Sequence, residues 1–187
     1  GDVQILIGEN IFISSEKFEY NRKTGLYKIF DNVQFKDKIN NIKASGTEFI
    51  LSTFDNKILS KTKSKIIYDE TYDIDLDNFE YDINDQKISS NNFVKIKDNI
   101  NNYFELYEFL FDLKTNKFLG KQIKFINYQQ NKYFLNEVMI NTNNDKLYGK
   151  EIKFLDNQKN KYFLNEVMIN TNNDNLYGKD LNIEFNK

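Results

Sequence analysis

Carboxylates are the side chains in this sequence whose spacing comes closest to a recognisable chemistry. The stretch "DIDLDNFEYDIN" at 73–84 places Asp73, Asp75 and Asp77 at alternate positions, as a calcium-binding loop does. Such a loop also needs Gly at its sixth position and Glu at its twelfth, where this chain has Asn78 and Asn84. We therefore expect these carboxylates to lie on the solvent face of a strand whose other face is apolar.

Other catalytic and binding chemistry finds little support in the composition. The chain has no Cys and no His, which removes thiolate nucleophiles, imidazole bases and the usual zinc ligands. Abundant carboxylates could hydrolyse a glycosidic bond, but no pattern places two of them on one concave face. The lysine-rich "KTKSK" at 61–65 is expected to be a solvated strand, with contact to lipid phosphates as the alternative. We predict no enzymatic activity, no cofactor and no metal site.

The charge balance argues against a polyanionic partner. Lys and Arg total 26 and Asp and Glu total 28, so the formal net charge is -2. These charges are spread along the chain rather than clustered, and a nucleic-acid partner is therefore not expected. No apolar run reaches the roughly 18 residues that a membrane-spanning helix needs.

A literal repeat governs the organisation of the chain. The phrase "NKYFLNEVMINTNND" occurs at 131–145 and again at 160–174, a spacing of 29 residues. Each unit holds two apolar segments separated by "NTNND", and Asn and Asp favour turns because they tolerate left-handed backbone geometry. The sequence predicts a single domain over 1–187 that contains near-identical hairpin repeats at 131–159 and 160–187.

Within each segment the apolar residues follow an unusual spacing. Tyr133, Leu135, Val138 and Ile140 fall at offsets 0, 2, 5 and 7, whereas an ordinary strand gives 0, 2, 4 and 6. The skip means that side chains change parity at mid-strand, so a bulge or a sharp bend must keep both halves facing one interior. The same offsets recur every 14 or 15 residues from 104 onward and less regularly before that point. This step predicts further strands near 28, 59 and 89, and one more at "VQILI".

The predicted fold is all-β: an elongated, V-shaped antiparallel β-jellyroll of about 12 bent strands. Helices are not expected, because Asn, Asp, Thr, Ile, Tyr and Phe at this density are weak helix formers. A small residue often occupies the second offset, as at Gly120, Gly149 and Gly178, and we expect these glycines to leave interior volume unfilled. Whether the interior is a hollow groove or a packed core stays open at this point.

Several phrases carry a resemblance to a known family. The strings "IDLDNFEYD", "ISSEKFEYN" and "LYGKEIKF" are similar to the repeating phrase of the OstA-like fold of lipopolysaccharide-transport proteins. "DNVQFKD" resembles a "GNV" strand of that family with Asp31 in place of the glycine. "LYGKDLNIEFNK" and "NKYFLNEVMINTNND" look most like the periplasmic N-terminal domain of the family's outer-membrane assembly protein. The literal duplication is a departure from that pattern.

The resemblance implies a lipid carrier in the periplasm, attached to the outer membrane in the full-length protein. It implies binding of the acyl chains of lipopolysaccharide, edge-strand pairing with a periplasmic bridge protein at the N-terminal end, and an outer-membrane barrel C-terminal to this segment. The lining positions that it implies are Phe18, Tyr20, Phe49, Phe79, Tyr81, Phe109, Phe111, Val138, Ile140, Ile152, Phe154, Val167, Ile169, Leu181 and Ile183.

A second function remains compatible with the same pattern. A packed interior would make the chain a structural β-solenoid, used as a spacer or as an adhesin segment and without any ligand. The two hypotheses differ in whether the apolar interior can accept an acyl chain.

Overall fold

The regular structure of the chain consists entirely of strands over the residues that the computed structural model describes, which are 3–155, 159–173 and 175–184. Within them, no helix has the length and apolarity to span a membrane. The strands are β1 Val3–Ile7, β2 Ile11–Ser15, β3 Lys17–Asn21, β4 Leu26–Asp37, β5 Ile42–Ser52, β6 Lys57–Ser60, β7 Ser64–Tyr68, β8 Tyr72–Leu76, β9 Phe79–Asp82, β10 Lys87–Ser90, β11 Val94–Asp98, β12 Tyr103–Asp112, β13 Lys117–Ile126, β14 Lys132–Asn141, β15 Lys146–Leu155, β16 Lys161–Asn170, β17 Asn175–Lys179 and β18 Asn182–Glu184.

These 18 strands form one antiparallel meander of bent strands. The short strands β2 and β3 pair with the two ends of β4, so together they act as one bent strand. In the same way β6 with β7, β10 with β11, and β17 with β18 pair with the two ends of β5, β12 and β16. The pair β8 and β9 lies between the first two of these bent strands. In the described ranges this gives twelve bent strands, preceded by β1, which pairs there with β2. The predicted all-β fold class is confirmed. The predicted count of about 12 bent strands differs from the 18 separate strands of the structure, because the bends divide several of the long strands in two.

The bends have a backbone cause that matches the parity slip. Glu108, Gln122, Glu151 and Asp180 occupy the fifth position of their segments and adopt left-handed φ of 50°, 51°, 52° and 54°. A left-handed residue turns the chain, and the side chains beyond it therefore return to the interior. The ladder stays in register across the bends from β13 to β16, so these are sharp bends rather than bulges. Around Glu108 the register between β12 and β13 shifts.

The bend of β4 is a true bulge. Between Phe30 and Val33 the register with β5 shifts by one residue. Asp31 and Asn32 provide the extra length, and both have positive φ, at 60° and 53°. Asp31 thus lies in a conformation that glycine adopts most easily, at the position where the resembled phrase has glycine.

The bends divide the structure into two facing half-sheets. Half-sheet I contains β1, β2, β7, β8, β11 and β18 with the adjoining parts of β4, β5 and β12–β16. Half-sheet II contains β3, β6, β9, β10 and β17 with the remaining parts of those long strands. Burial alternates along the strands, so one face of each half-sheet is turned inward. In β2, for example, Ile11, Ile13 and Ser15 are buried, whereas Phe12 and Ser14 are half-buried.

The duplicated hairpins continue this arrangement without interruption. The strand β14 pairs with β15, β15 with β16, and β16 with both β17 and β18. The turns between strands contain Asn in left-handed geometry, as at Asn41, Asn56 and Asn116. The predicted repeats at 131–159 and 160–187 also include 156–158, 174 and 185–187, which lie outside the described residues.

Candidate functional site

A ladder of aromatic rings lines the inner face of half-sheet I. Phe104, Phe125, Tyr133, Phe154 and Tyr162 are cross-strand partners on five successive strands. Their ring centroids are separated in turn by 4.6, 5.2, 4.6 and 5.0 Å, and all four ring pairs are stacked. Aromatic contacts of this kind stabilise the sheet beyond the effect of buried area. They also give the interior a continuous apolar wall.

The two half-sheets touch across the interior. Tyr68 of half-sheet I meets Phe111 of half-sheet II with ring centroids 4.6 Å apart, and Tyr72 meets Phe118 at 5.3 Å. Phe111 and Phe118 are 0% and 1% exposed. Direct ring contacts between the two walls mean that this part of the interior is a packed core.

The interior glycines do not leave space unfilled. A Cβ on Gly120 would overlap Leu106, and Cβ atoms on Gly149 and Gly178 would overlap Leu135 and Leu164. These leucines lie in half-sheet I and occupy the room beside the glycines of half-sheet II. The expectation of empty volume at the bends is therefore wrong, since the neighbouring leucines fill it.

The edge of the sandwich opposite the bends is closed by polar contacts, and we call it the turn edge. Tyr81 of half-sheet II donates its hydroxyl to Asp37 at 2.5 Å and accepts a hydrogen bond from Asn40 at 3.1 Å. Further along, Tyr68 donates to the side-chain oxygen of Asn116 at 2.8 Å. An acyl chain entering from the side would have to separate such pairs.

A third contact of the turn edge joins Asn102 to the backbone carbonyl of Thr171, with a donor–acceptor distance of 3.2 Å. Asn102 also donates to Asp98 from its side chain at 2.8 Å and from its backbone at 2.8 Å. Contacts of the turn edge thus occur near both ends of the meander as well as in its middle.

Burial changes the acidity of several groups at the turn edge. Desolvation raises the pKa of Tyr81, and its hydrogen bond to Asp37 raises it further. Desolvation likewise raises the pKa of Tyr68, and it raises the pKa of Asp98 against the opposing effect of the hydrogen bonds from Asn102. Both tyrosines therefore remain neutral donors across the physiological range.

Replacing Tyr81 by Phe should lower the free energy of unfolding by about 1–3 kcal/mol, because Asp37 loses a buried hydrogen-bond donor. Urea unfolding at pH 7 measures this loss, and Tyr107→Phe is the control, since Tyr107 is 45% exposed. The pKa of Tyr81 is higher in the folded than in the unfolded chain. The advantage of the native tyrosine should therefore shrink as the pH rises above about 10, the ordinary tyrosine pKa. If the Tyr81→Phe variant and its control both had the same free energy of unfolding as the native protein, the turn edge would not be closed by this hydrogen bond.

The lining positions implied by the family resemblance fall into two groups. All 15 positions belong to the inward faces of the half-sheets or continue them, as the alternation of side chains along each strand shows. Only one of the two groups is enclosed by the opposite half-sheet. The ten buried positions are Phe49, Phe79, Tyr81, Phe109, Phe111, Val138, Ile140, Ile152, Val167 and Ile169, and Phe154 is half-buried.

The other four positions lie at the two ends of the meander. Phe18 and Tyr20 are 41% and 49% exposed, because among the described strands β3 has a neighbour on one side only. Leu181 and Ile183 are 56% and 36% exposed beside the last long strand. The apolar interior is therefore continued by exposed apolar side chains at both ends. The role of all these positions in binding lipid stays a prediction.

Four members of the aromatic ladder were missed as site residues. Phe104, Phe125, Tyr133 and Tyr162 occupy the first or fourth offset of the recurring pattern, and the pattern itself contains them. Their alignment into one wall follows from pairing each strand with its successor in register. The regular step of 14 or 15 residues was the signal that could have identified them.

The alternate carboxylates of the acidic stretch at 73–84 lie on the solvent face, as the sequence predicts. Asp73, Asp75 and Asp77 are exposed, and Asp73 forms an ion pair with Lys65 at 2.9 Å. Among the described residues no cluster of three or more Asp or Glu could hold a metal ion.

A groove of about 860 Å³ lies on the outer face of half-sheet II rather than in the interior. Its apolar wall includes Leu119, Met139 and Tyr148, whose side chains point away from the core because their chain neighbours Phe118, Ile140 and Leu147 point into it. Of the predicted lining positions, the groove includes only Val138 and Val167.

Comparison with known proteins gives little beyond a likeness of architecture. No protein-family model matches the chain, and no curated protein matches it. Among solved structures, LptH from Pseudomonas aeruginosa aligns with 95% of this chain over 95% of its own length, with 8% identity and a TM-score of 0.27. That protein is described as the LptA-homologous periplasmic component of the conserved lipopolysaccharide transport device. At such an identity and TM-score the function of this chain has to be inferred from its own residues.

Proposed function

We propose that this chain binds the acyl chains of lipopolysaccharide between its two half-sheets and conducts the lipid across the periplasm to the outer membrane. In this role it would correspond to the periplasmic N-terminal domain of the assembly protein LptD. The observation that carries the proposal is the apolar interior, which runs along twelve bent strands and ends in exposed apolar side chains on both sides. The motifs "IDLDNFEYD" and "LYGKEIKF" support the same role.

The energetics of such a carrier follow from partition. Each CH₂ group that leaves water contributes about 0.8 kcal/mol, so a long acyl chain gains several kcal/mol in an apolar interior. Because the interior is packed, the acyl chain has to replace contacts such as Tyr68–Phe111 and to separate the turn edge. The sugar and phosphate groups would remain in water, and no bond is made or broken.

The ends of the meander would serve the transfer. At the N-terminal end, within the part of the chain that the structure describes, β1 and β3 each have a neighbouring strand on one side only, and their free edges suit addition of a strand from a bridge protein. At the other end Leu181 and Ile183 would contact whatever receives the lipid, which in the proposed role is an outer-membrane barrel.

The test is to purify the chain from cells that make lipopolysaccharide and to measure bound lipid A by mass spectrometry. Phe18→Asp or Leu181→Asp should lower the yield of lipid A per folded protein about tenfold, because one apolar side-chain contact is worth roughly 1.5 kcal/mol or more. Phe134→Asp is the matched control, since Phe134 is 37% exposed but lies on the outer face. A native chain that carries no lipid A, or variants that carry as much as the control, would overturn the proposal.

A structural spacer or adhesin segment is the second candidate, and one observation favours it specifically. Leu106, Leu135 and Leu164 fill the room beside the glycines, so the described interior resembles the core of an ordinary sandwich. A chain with this function would be purified free of lipid and would retain its full stability without it.

A further inference from the structure

The outer face of half-sheet II carries an uninterrupted apolar row across six strands. Each member is the cross-strand partner of the next, so the side chains stand in line about 4.8 Å apart. Leu119 and Tyr177 are 38% and 57% exposed, and the other four are half-buried. The row consists of Leu110, Leu119, Met139, Tyr148, Met168 and Tyr177. An apolar row of this length on a solvent face is a candidate interaction surface.

A row of alternating charges runs beside the apolar row. It crosses the same six strands two residues closer to the bends, on the same face. Neighbours within the row form ion pairs, with Lys121–Glu108 at 2.5 Å, Lys150–Glu137 at 3.7 Å and Lys179–Glu166 at 2.9 Å. In order along the sheet the row is Glu108, Lys121, Glu137, Lys150, Glu166 and Lys179. The groove of about 860 Å³ lies between the two rows.

The order of these charges makes the face complementary to itself. Glu and Lys alternate along the row, and the row has six members, so it starts with Glu and ends with Lys. When a second copy of the row is laid against it in the reverse order, every Glu therefore faces a Lys. A two-fold axis parallel to the strands, passing between β14 and β15, produces this reversal when two copies pack face to face. The same axis keeps the apolar row opposite the apolar row of the second copy.

The apolar side chains also match in size under this symmetry. Leu110 would meet Tyr177 of the second copy and Met139 would meet Tyr148, so each of these pairs combines an unbranched or aliphatic side chain with an aromatic ring. Leu119 would meet Met168, which has nearly the same volume. A third outward row lies on the other side of the apolar row, farther from the bends, at residues 112, 117, 141, 146, 170 and 175. The same symmetry places no two like charges of this row opposite one another.

The geometry points to a face-to-face homodimer through the outer face of half-sheet II. Six strands at about 4.8 Å and three outward rows cover roughly 600 Å² per copy, or about 1,200 Å² in total. This lies at the low end of the size range of specific interfaces. Packed sheets cross at about 30°, so the contacts closest to the axis, Glu137 and Lys150, should matter most. The inference does not depend on the proposed lipid binding.

The test exchanges charges between two copies. Lys150→Glu alone and Glu137→Lys alone each place like charges opposite one another in a homodimer, so each variant should be monomeric in sedimentation velocity where the native protein is dimeric. Mixing the two variants restores opposite charges at every position, so the mixture should form a heterodimer at least as tight as the native dimer. Because each variant also disturbs the Lys150–Glu137 pair within its own chain, circular dichroism melting must show that both are folded.

The apolar contact is tested separately with Met139→Glu, which should weaken the dimer at least tenfold. Phe134→Glu is the control, because Phe134 lies on the same strand and faces solvent, being 37% exposed, but belongs to half-sheet I. A native protein that is monomeric at several hundred micromolar, or single variants that do not dimerise on mixing, would overturn the inference. Binding of the native chain but not Met139→Glu to phosphatidylglycerol vesicles, without dimerisation, would assign this face to a membrane instead.

Discussion

Cross-linking the turn edge shut should lower the capture of lipid A at least tenfold. The chain has no Cys, so Tyr68→Cys with Asn116→Cys introduces the only two thiols. These positions are joined by a 2.8 Å hydrogen bond between the two half-sheets, and a short bis-maleimide can replace it by a covalent link. If acyl chains enter by separating the half-sheets, the link blocks them. A tenfold loss corresponds to about 1.4 kcal/mol. Each CH₂ group that is kept in water costs about 0.8 kcal/mol, so keeping only two of them out of the interior would already produce this loss.

The unreacted double variant provides the internal comparison, because it has lost the hydrogen bond but keeps the edge free to open. It should capture at least as much lipid A as the native protein. A second pair, Asn141→Cys with Lys146→Cys, joins cross-strand partners within half-sheet II and should leave capture unchanged when it is cross-linked. Equal capture by the linked and unlinked forms of Tyr68→Cys/Asn116→Cys would mean that lipid does not enter between the half-sheets.

Much of the fold follows from local sequence. The offsets 0, 2, 5 and 7 predict a strand whose parity changes at its centre, and the left-handed residues Gln122, Glu151 and Asp180 are the backbone expression of that change. Because every strand pairs with its successor, the regular step also predicts which residues share a wall. The Asn-rich segments between strands identify the turns for the same local reason.

The state of the interior could not be predicted in the same way. The offsets place Gly149 and Leu135 on the inward face. They do not predict that the Leu135 side chain fills the space beside Gly149, because this depends on the angle between the half-sheets. The hydrogen bond between Tyr81 and Asp37 joins residues that are 44 positions apart in the sequence, so no local pattern predicts it. The exposure of Phe18 is likewise a consequence of its place at the end of the meander.

Replacing Phe111 by Ala should lower the free energy of unfolding by about 3–5 kcal/mol, the range for removing a fully buried aromatic side chain. Phe111 is 0% exposed, and its ring centroid is 4.1 Å from that of Phe118 and 4.6 Å from that of Tyr68. Urea unfolding measures the loss, and Phe134→Ala, at a position that is 37% exposed, should cost less than about 1 kcal/mol. A loss below about 1 kcal/mol for Phe111→Ala would show that water or mobile side chains already occupy the interior.

The same variant separates the two proposed functions. Removing the ring creates a cavity beside Tyr68, whose hydroxyl helps to close the turn edge. In a lipid carrier an acyl chain can fill that cavity, so lipid A per folded protein should stay equal or rise while the stability of the lipid-free chain falls. In a structural spacer the cavity has no ligand, and the only effect is the loss of stability. Unfolding measured with and without added lipid A distinguishes these outcomes, because a bound ligand raises the apparent stability of the folded state.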